Sequence, residues 1–308
     1  CAETLPCGTL LITNLITVIR RSHVKPLTLL AAAALLLTGC AATTPAADDT
    51  IRIVASTDVY GDLAQTIGGD TVTVTSLIAG AARDPHSFEA SAQDQLAVNK
   101  ADVVIENGGG YDPFVETLLA ASGSAATVIS VADLVNLPEG TNEHLWYDFG
   151  AMDSFAKKLA DTLAALDPEN AAEYASNYET LSGRLDGLTQ KVTGLADGQG
   201  VAVTEPVPLY LLEAAGLVNR TPADFTEAIE EGSDVPPAAL QETLALFGDG
   251  AVVLLAYNDQ TASPETERVR AAAEAAGIPV VDFTETLPDG QTYLSWMTAN
   301  IDALAAVL

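Results

Sequence analysis

Cysteine, histidine, aromatic residues and basic residues are all scarce in this chain of 308 residues. Its three cysteines, Cys1, Cys7 and Cys40, have spacings that fit neither a zinc ribbon nor a thioredoxin motif. Only 13 Lys and Arg stand against 42 Asp and Glu, which gives a formal net charge of −29. A chain this negative repels phosphate backbones and anionic lipid headgroups, so neither nucleic-acid binding nor electrostatic docking on a membrane is expected. Cations are the partners that such a charge attracts.

The sequence also lacks the short motifs of common hydrolase and nucleotide sites. It contains no HExxH motif of zinc proteases and no GxSxG turn of serine hydrolases. The glycines at 108–110 are not followed by GK[ST], so they predict a turn or a close backbone approach and not a phosphate loop. Glu106 or Asp112 could serve as the base of a metallohydrolase, but no further motif supports one. The sequence therefore predicts a protein that is not an enzyme.

The N-terminal region predicts export and lipid anchoring. An apolar run at 27–37 follows several basic residues and has the length of a signal-peptide core, too short to span a bilayer. It ends in Leu-Thr-Gly-Cys, which resembles a bacterial lipobox with Cys40 as the lipidated residue. Residues 1–39 are thus expected to be a signal peptide, with a true start near Val24, and residues 40–50 a flexible tether. The protein is expected to be extracytoplasmic and attached to the cell membrane through this lipid alone.

Beyond the tether, short apolar strands alternate with helical segments in two series. This pattern is typical of parallel sheets covered by helices, so the fold class is α/β with two lobes. We expect an N-terminal βα lobe at 51–167, a long bridging helix at 168–197 and a C-terminal βα lobe at 198–308. Gly183 and Gly187 weaken the prediction of a continuous bridging helix.

Two helix starts are marked by capping sequences. Ser91 is followed three residues later by Asp94, as in a capping box. Ser263 precedes Pro264, which suits the first position of a helix.

Four polar residues follow predicted strands. His86 and His144 come from the first lobe, and Glu205 and Glu285 from the second. Ligands of open α/β sheets bind beyond the carboxyl ends of the strands, so these side chains converge if the two lobes face each other. Two imidazoles and two carboxylates suit one divalent transition metal ion, whereas no Cys or Met lies near to favour Cu(I).

Several segments resemble the substrate-binding lipoproteins of zinc and manganese ABC importers, cluster A-I. They cover nearly all of 51–308, and DPHSFE and EHLW are the most specific of them. The segments are VASTDVYGDLAQTIGGD (54–70), DPHSFEAS (84–91), KADVVIENGGGYDPF (100–114), NEHLWYD (142–148), TEPVPLYLLEAAGL (204–217), AYNDQT (256–261) and AGIPVVDFTETLP (276–288). The resemblance implies two Rossmann-like lobes bridged by a rigid helix, with the metal ion in the cleft between them.

The resemblance also implies a ligand set. His86 and His144 match the two histidine ligands of the family, and Glu205 falls where the family has His or Glu. Glu285 falls where the family usually has Asp, so Asp282, Asn258 or a water molecule is an alternative fourth ligand. Glu89 is either a partner that orients an imidazole or, more simply, a helix-capping or solvent-facing residue.

The metal and its partners follow from the same resemblance. Two histidines with two carboxylates, and no His-rich loop at 132–143, resemble the manganese-type members, yet Zn²⁺ stands above Mn²⁺ in the Irving–Williams order. The expected partners are an ABC permease and its ATPase, and the protein is expected to be a monomer, with adhesion as a possible second role. The alternatives are a helix-bridged receptor for a metal chelate such as a siderophore or corrinoid, and a metallohydrolase.

Overall fold

Two parallel four-stranded sheets organise the computed structural model, which describes residues 50–80 and 88–308. These residues belong to one unit that extends from Asp49 to Leu308. The predicted signal peptide, Cys40, most of the tether and His86 lie outside the described residues. The predicted fold class, α/β with two helix-bridged lobes, is confirmed.

The first sheet has the strand order β2-β1-β3-β4, with every neighbouring pair parallel. Its central strands consist mainly of buried β-branched and other apolar residues, as expected for a parallel sheet covered on both faces. The strands are β1 (Ile51–Thr57), β2 (Val72–Ile78), β3 (Val103–Glu106) and β4 (Thr127–Ser130). The helices of this half are α1 (Asp58–Gly68), α2 (Ala92–Lys100), α3 (Pro113–Ser122), α4 (Val131–Val135) and α5 (Phe149–Leu166).

The second sheet repeats the same topology, with the order β6-β5-β7-β8 and parallel pairing throughout. Its strands are β5 (Gly200–Val203), β6 (Val218–Asn219), β7 (Leu254–Asn258) and β8 (Val280–Phe283). A helix between the two halves, α6 (Ala171–Val192), is followed by α7 (Leu209–Ala214), α8 (Ala223–Glu230), α9 (Pro237–Ala245), α10 (Pro264–Ala275) and α11 (Tyr293–Val307). In the described part of the chain no helix combines the length and apolarity needed to cross a membrane.

Local sequence signals explain where several helices begin. Ser91 caps α2 in a full capping box with Asp94, as predicted. Ser263 caps α10 with Pro264 at its first position, also as predicted, and Thr266 completes the box.

The bridging helix α6 has 22 residues, hence a length of about 33 Å at 1.5 Å per residue. It is shorter than the segment predicted from the sequence, because its first turn at Pro168–Asn170 is a 3-10 helix and the chain leaves helical geometry at Thr193. Its buried stripe is leucine-rich at helical spacing and faces the core: Leu181, Leu185, Leu188 and Val192. The division of the chain into the ranges 51–167, 168–197 and 198–308 stays a prediction.

Gly183 lies on the exposed side of α6, where an added Cβ would meet nothing within 4 Å. We expect Gly183→Ala to stabilise the protein by about 0.5–1 kcal/mol, because alanine loses less backbone entropy in a helix. Urea unfolding of the metal-free protein measures this change. The control is Gly123→Ala, equally open but at φ +64, which is expected to destabilise by about 1 kcal/mol. A loss of stability in Gly183→Ala would contradict the prediction.

One apolar core continues from the first half of the molecule into the second. Tyr147 packs against Phe283 and Trp296, at ring-centroid distances of 6.0 and 5.4 Å. The C-terminal helix α11 is tied to the first half as well, since the backbone N–H of Tyr293 donates to Asp62 at 2.8 Å. A shared core and direct hydrogen bonds oppose a wide hinge motion between the sheets.

Candidate metal centre

Buried polar side chains gather where the carboxyl ends of the two sheets meet. Glu205 and Glu285 each follow a strand of the second sheet by two residues, and Asn258 ends β7. His144 comes from the segment that precedes α5 of the first half. All four are at most 2% exposed, although polar and ionisable groups are normally found at the surface. The burial of these groups together indicates a site built for a charged ligand.

His144 is oriented by its own neighbours. Its Nδ1 donates to Asn142 Oδ1 at 2.6 Å, and the same oxygen accepts the His144 backbone N–H at 3.1 Å. The rings of Tyr111 and Trp146 pack edge-on to the imidazole, at 5.9 and 5.2 Å. With the proton on Nδ1, the neutral ring presents the lone pair of Nε2, which is the form of histidine that binds a metal ion.

The Nε2 atom of His144 faces carboxylates of the second half. Glu285 Oε2 lies 3.8 Å away, as the predicted convergence requires, and Glu230 Oε1 lies 3.7 Å away. A metal ion about 2 Å from Nε2 is within reach of both carboxylates after small side-chain adjustments.

Glu205 and Glu285 are joined by a neutral amide. Asn258 Nδ2 donates to Glu205 Oε2 at 2.5 Å and to Glu285 Oε1 at 2.9 Å. The hydroxyl of Thr261 also donates to Glu205, and that of Tyr111 to Glu285 at 3.2 Å. These donors offset part of the repulsion between two buried negative charges. Asn258, considered from the sequence as a ligand, here donates to both predicted ligands, Glu205 and Glu285.

The surroundings of Tyr111 keep its hydroxyl protonated. Burial, followed by the negative charge of Glu285, raises the pKa of Tyr111 well above its ordinary value. The hydroxyl therefore keeps its proton and remains a donor to Glu285. A divalent cation placed among these groups would supply the positive charge that the buried carboxylates require.

Asp58, at the start of α1, links backbone groups of the two halves near the centre. Its carboxylate accepts the N–H of Gly80 at 2.7 Å and that of Leu287 at 3.0 Å. Gly80 precedes the segment that contains His86 in the sequence, and Leu287 follows Glu285 by two residues. Burial raises the pKa of Asp58, while these N–H donors partly lower it. Asp58 thus joins the residue that ends the described segment after β2 to the loop that carries Glu285.

Two residues were not identified from the sequence. Glu143 and Glu230 form a group with His144 in which one potential ligand atom from each lies within 4.8 Å of the others. Glu143 is adjacent to His144 in the chain, and this adjacency was an available signal. Glu230 is the last residue of α8, and no motif distinguishes it among the 42 acidic residues.

Two residues that the sequence suggested as ligands or partners, Asp282 and Glu89, are not part of this group. Asp282 forms an ion pair with Arg270, with Oδ1 and Nη1 2.9 Å apart, and is partly exposed. It alternates with buried Val281 and Phe283 on β8, so its side chain points to the opposite face of the sheet. Glu89 is exposed and does not cap α2, since Ser91 does.

Comparison with known proteins agrees with this geometry. Residues 53–307 match the family described as zinc-uptake complex component A, periplasmic. The chain belongs to this family. The resemblance to substrate-binding proteins of metal importers is therefore confirmed, and zinc-uptake component A proteins are binding components of ABC transport systems and not enzymes.

Individual members of the family are distant relatives. The iron ABC transporter substrate-binding lipoprotein MtsA of Streptococcus pyogenes serotype M1 is 24% identical over 297 residues, covering 88% of this chain and 93% of MtsA. The manganese-binding lipoprotein MntA of Halalkalibacterium halodurans is 28% identical over 196 residues, covering 59% of this chain and 65% of MntA. FpvC of Pseudomonas aeruginosa, solved in complex with Mn²⁺, superposes with a TM-score of 0.70 at 24% identity, covering 84% of this chain and 98% of FpvC. At this identity the likeness to FpvC concerns the fold.

Proposed function

We propose that the protein captures a divalent transition metal ion, Mn²⁺ or Zn²⁺, outside the membrane and delivers it to the permease of an ABC importer. The observation that carries the proposal is the buried imidazole of His144, whose Nε2 lies within 3.8 Å of the carboxylates of Glu230 and Glu285. Among the described residues we propose His144, Glu205 and Glu285 as the resident ligands, with Glu205 joined to Glu285 through Asn258, while Glu230 borders this set. His86 is proposed as a further ligand from the sequence alone.

The donor chemistry supports a bare ion over a metal chelate. The imidazole and carboxylates lie less than 4 Å apart, which accommodates an ion but not a siderophore or corrinoid. In the described part of the chain, the cavity beside the centre has neither aromatic nor Arg residues in its walls, which a chelate would require for stacking and charge balance.

The choice between the two metals is a balance of two effects. Oxygen-rich coordination with one or two imidazoles suits Mn²⁺, whereas Zn²⁺ binds mixed nitrogen and oxygen donors more tightly in general. Related proteins carry names that specify manganese or iron. We propose Mn²⁺ or Zn²⁺ as cargo and an ATPase-driven permease as the receiver, with Cys40 as the site of lipid attachment.

Metal analysis tests the proposal. The full chain, purified in detergent, is stripped with chelator, loaded with equimolar Mn, Fe, Zn, Co and Ni, desalted and analysed by mass spectrometry. We expect a single metal ion per chain for the wild type and little for His86→Ala, because the variant loses a nitrogen ligand. Leu145→Ala, which alters a buried apolar neighbour of the site, is the control and should retain the metal. A wild-type protein that retains no metal would overturn the proposed function.

A further inference from the structure

A cavity of about 540 Å³ opens to solvent beside the metal centre. One wall is formed by the end of α8 and the loop after it, residues 228–234, and the other by residues 260–263 with Glu265. Glu230, the last residue of α8, belongs to this wall and also faces His144. The cavity and the centre therefore share part of their boundary.

The second wall of the cavity also contacts the centre. Gln260 Oε1 accepts the backbone N–H of Glu285 at 2.5 Å. The neighbouring residue Thr261 donates its hydroxyl to Glu205. The side chains of Gln260 and Thr261 thus connect the wall of the cavity directly to the carboxylate residues through hydrogen bonds.

Glu230 differs from the buried Glu205 and Glu285 in its access to solvent, and although Glu143 is also partly exposed, only Glu230 of these two lines the cavity. The side chain of Glu230 is 17% exposed, whereas the side chains of His144 and Glu285 are fully buried. A carboxylate at a helix end, reaching both solvent and Nε2, can contact an ion that is still partly hydrated. The fully buried donors can be reached only after the ion has lost most of its water.

The charge of the cavity favours cations. Four acidic residues and no Lys or Arg are found among the described residues that line it. The acidic residues are Glu230, Glu231, Asp234 and Glu265. A concave surface of one charge sign raises the local concentration of counterions and their rate of association.

We propose that Glu230 is the carboxylate that receives the metal ion from this cavity and passes it to His144, and that the ion leaves by the same route. The inference rests on the proposed function of metal capture. Replacing hydration water by an anionic oxygen at the mouth of the site lowers the barrier for dehydration in both directions. Glu230 is therefore expected to control the rates of exchange more than the affinity.

The experiment compares Glu230→Gln with Glu231→Gln in the full chain. Both variants remove one negative charge from the same cavity, but only Glu230 is close to His144. The fluorescence of Trp146, whose ring lies 5.2 Å from that of His144, reports binding in stopped-flow mixing with Zn²⁺ or Mn²⁺. Release is followed by mixing the loaded protein with a chelator, and the equilibrium Kd is measured separately.

We expect Glu230→Gln to slow association and dissociation by about tenfold each, with a Kd close to that of the wild type. Glu231→Gln should slow association by only about twofold, and high salt should abolish this slowing. Wild-type rates in Glu230→Gln would overturn the inference. An equal slowing in Glu231→Gln would also overturn it, since only long-range charge would then be involved. A higher Kd with an unchanged association rate would instead make Glu230 a resident ligand.

Further measurements keep the test decisive. If Glu230→Gln is unstable without metal, Glu230→Asp keeps the charge but withdraws the carboxylate by one methylene, and slower exchange is again expected. Retained metal is measured for every sample by mass spectrometry. A wild type that binds no metal removes the proposed function together with this inference. If the wild type binds one ion but exchanges it no faster than Glu230→Gln does, the inference about Glu230 is overturned while the proposed function stands.

Discussion

His144→Ala is expected to remove most of the thermal stabilisation that the protein gains from its metal ion. An ion that binds only the native state stabilises it by RT ln(1 + [L]/Kd), about 4 kcal/mol at a thousandfold excess over Kd. His144 supplies the imidazole nitrogen at the centre of the described donor group, and its ring is held by Asn142. Without this nitrogen, the carboxylates keep only a weak, hydrated ion, so the metal-induced increment should fall to about 1 kcal/mol or less.

Calorimetric or fluorescence melting with and without metal measures this increment. His144→Ala also leaves a cavity, so the metal-free variant is expected to unfold at a lower temperature than the wild type. Leu145→Ala is the matched control, because Leu145 is equally buried and adjacent but offers no donor atom. It should lose stability without metal and keep the full increment. A wild-type increment in His144→Ala would mean that the metal binds elsewhere.

Much of the fold could be predicted from the sequence because its signals are local. Apolar runs such as IRIVA define the buried strands, and Ser91 with Asp94 marks a helix start through contacts three residues apart. The helix α9 was not predicted, since its start at Pro236-Pro237 resembles a loop and its apolar pattern is weak. Gly183 did not interrupt α6, because packing of the leucine stripe outweighs about 1 kcal/mol of helix propensity.

The proposed metal centre was harder to predict because it is assembled from distant segments. Glu205 and Glu285 could be selected because each follows a strand by two residues, and in parallel sheets these ends share an edge. His144 lies beyond both β4 and α4, and the EHLW resemblance supported its selection. The outward orientation of Asp282 was also predictable from the alternation of side chains along β8. Glu230 could not be selected, because its position depends on how α8 packs and not on any spacing in the chain.

The second large effect concerns Glu106, the last residue of β3, which is only 8% exposed. Burial, and then the negative charges of Asp112, Glu116 and Asp133, raise the pKa of Glu106 to about 7 from an ordinary 4.5. The folded state thus holds this proton more tightly than the unfolded state does. The stabilisation from this proton is complete below pH 4.5 and is lost as the pH rises through about 7.

Glu106→Gln should therefore match the wild type near pH 4.5 and exceed its stability above pH 7. At about 1.4 kcal/mol per pKa unit, the shift from 4.5 to about 7 corresponds to about 3.4 kcal/mol, which screening by nearby solvent reduces to about 2 kcal/mol. Urea unfolding of the metal-free protein between pH 4.5 and 8.5 measures the difference. The control, Glu116→Gln, removes an exposed charge of the same cluster and should change the pH profile only slightly. Parallel profiles for the wild type and Glu106→Gln would show that the pKa of Glu106 is the same in the folded and unfolded states, so that its burial carries no energetic cost.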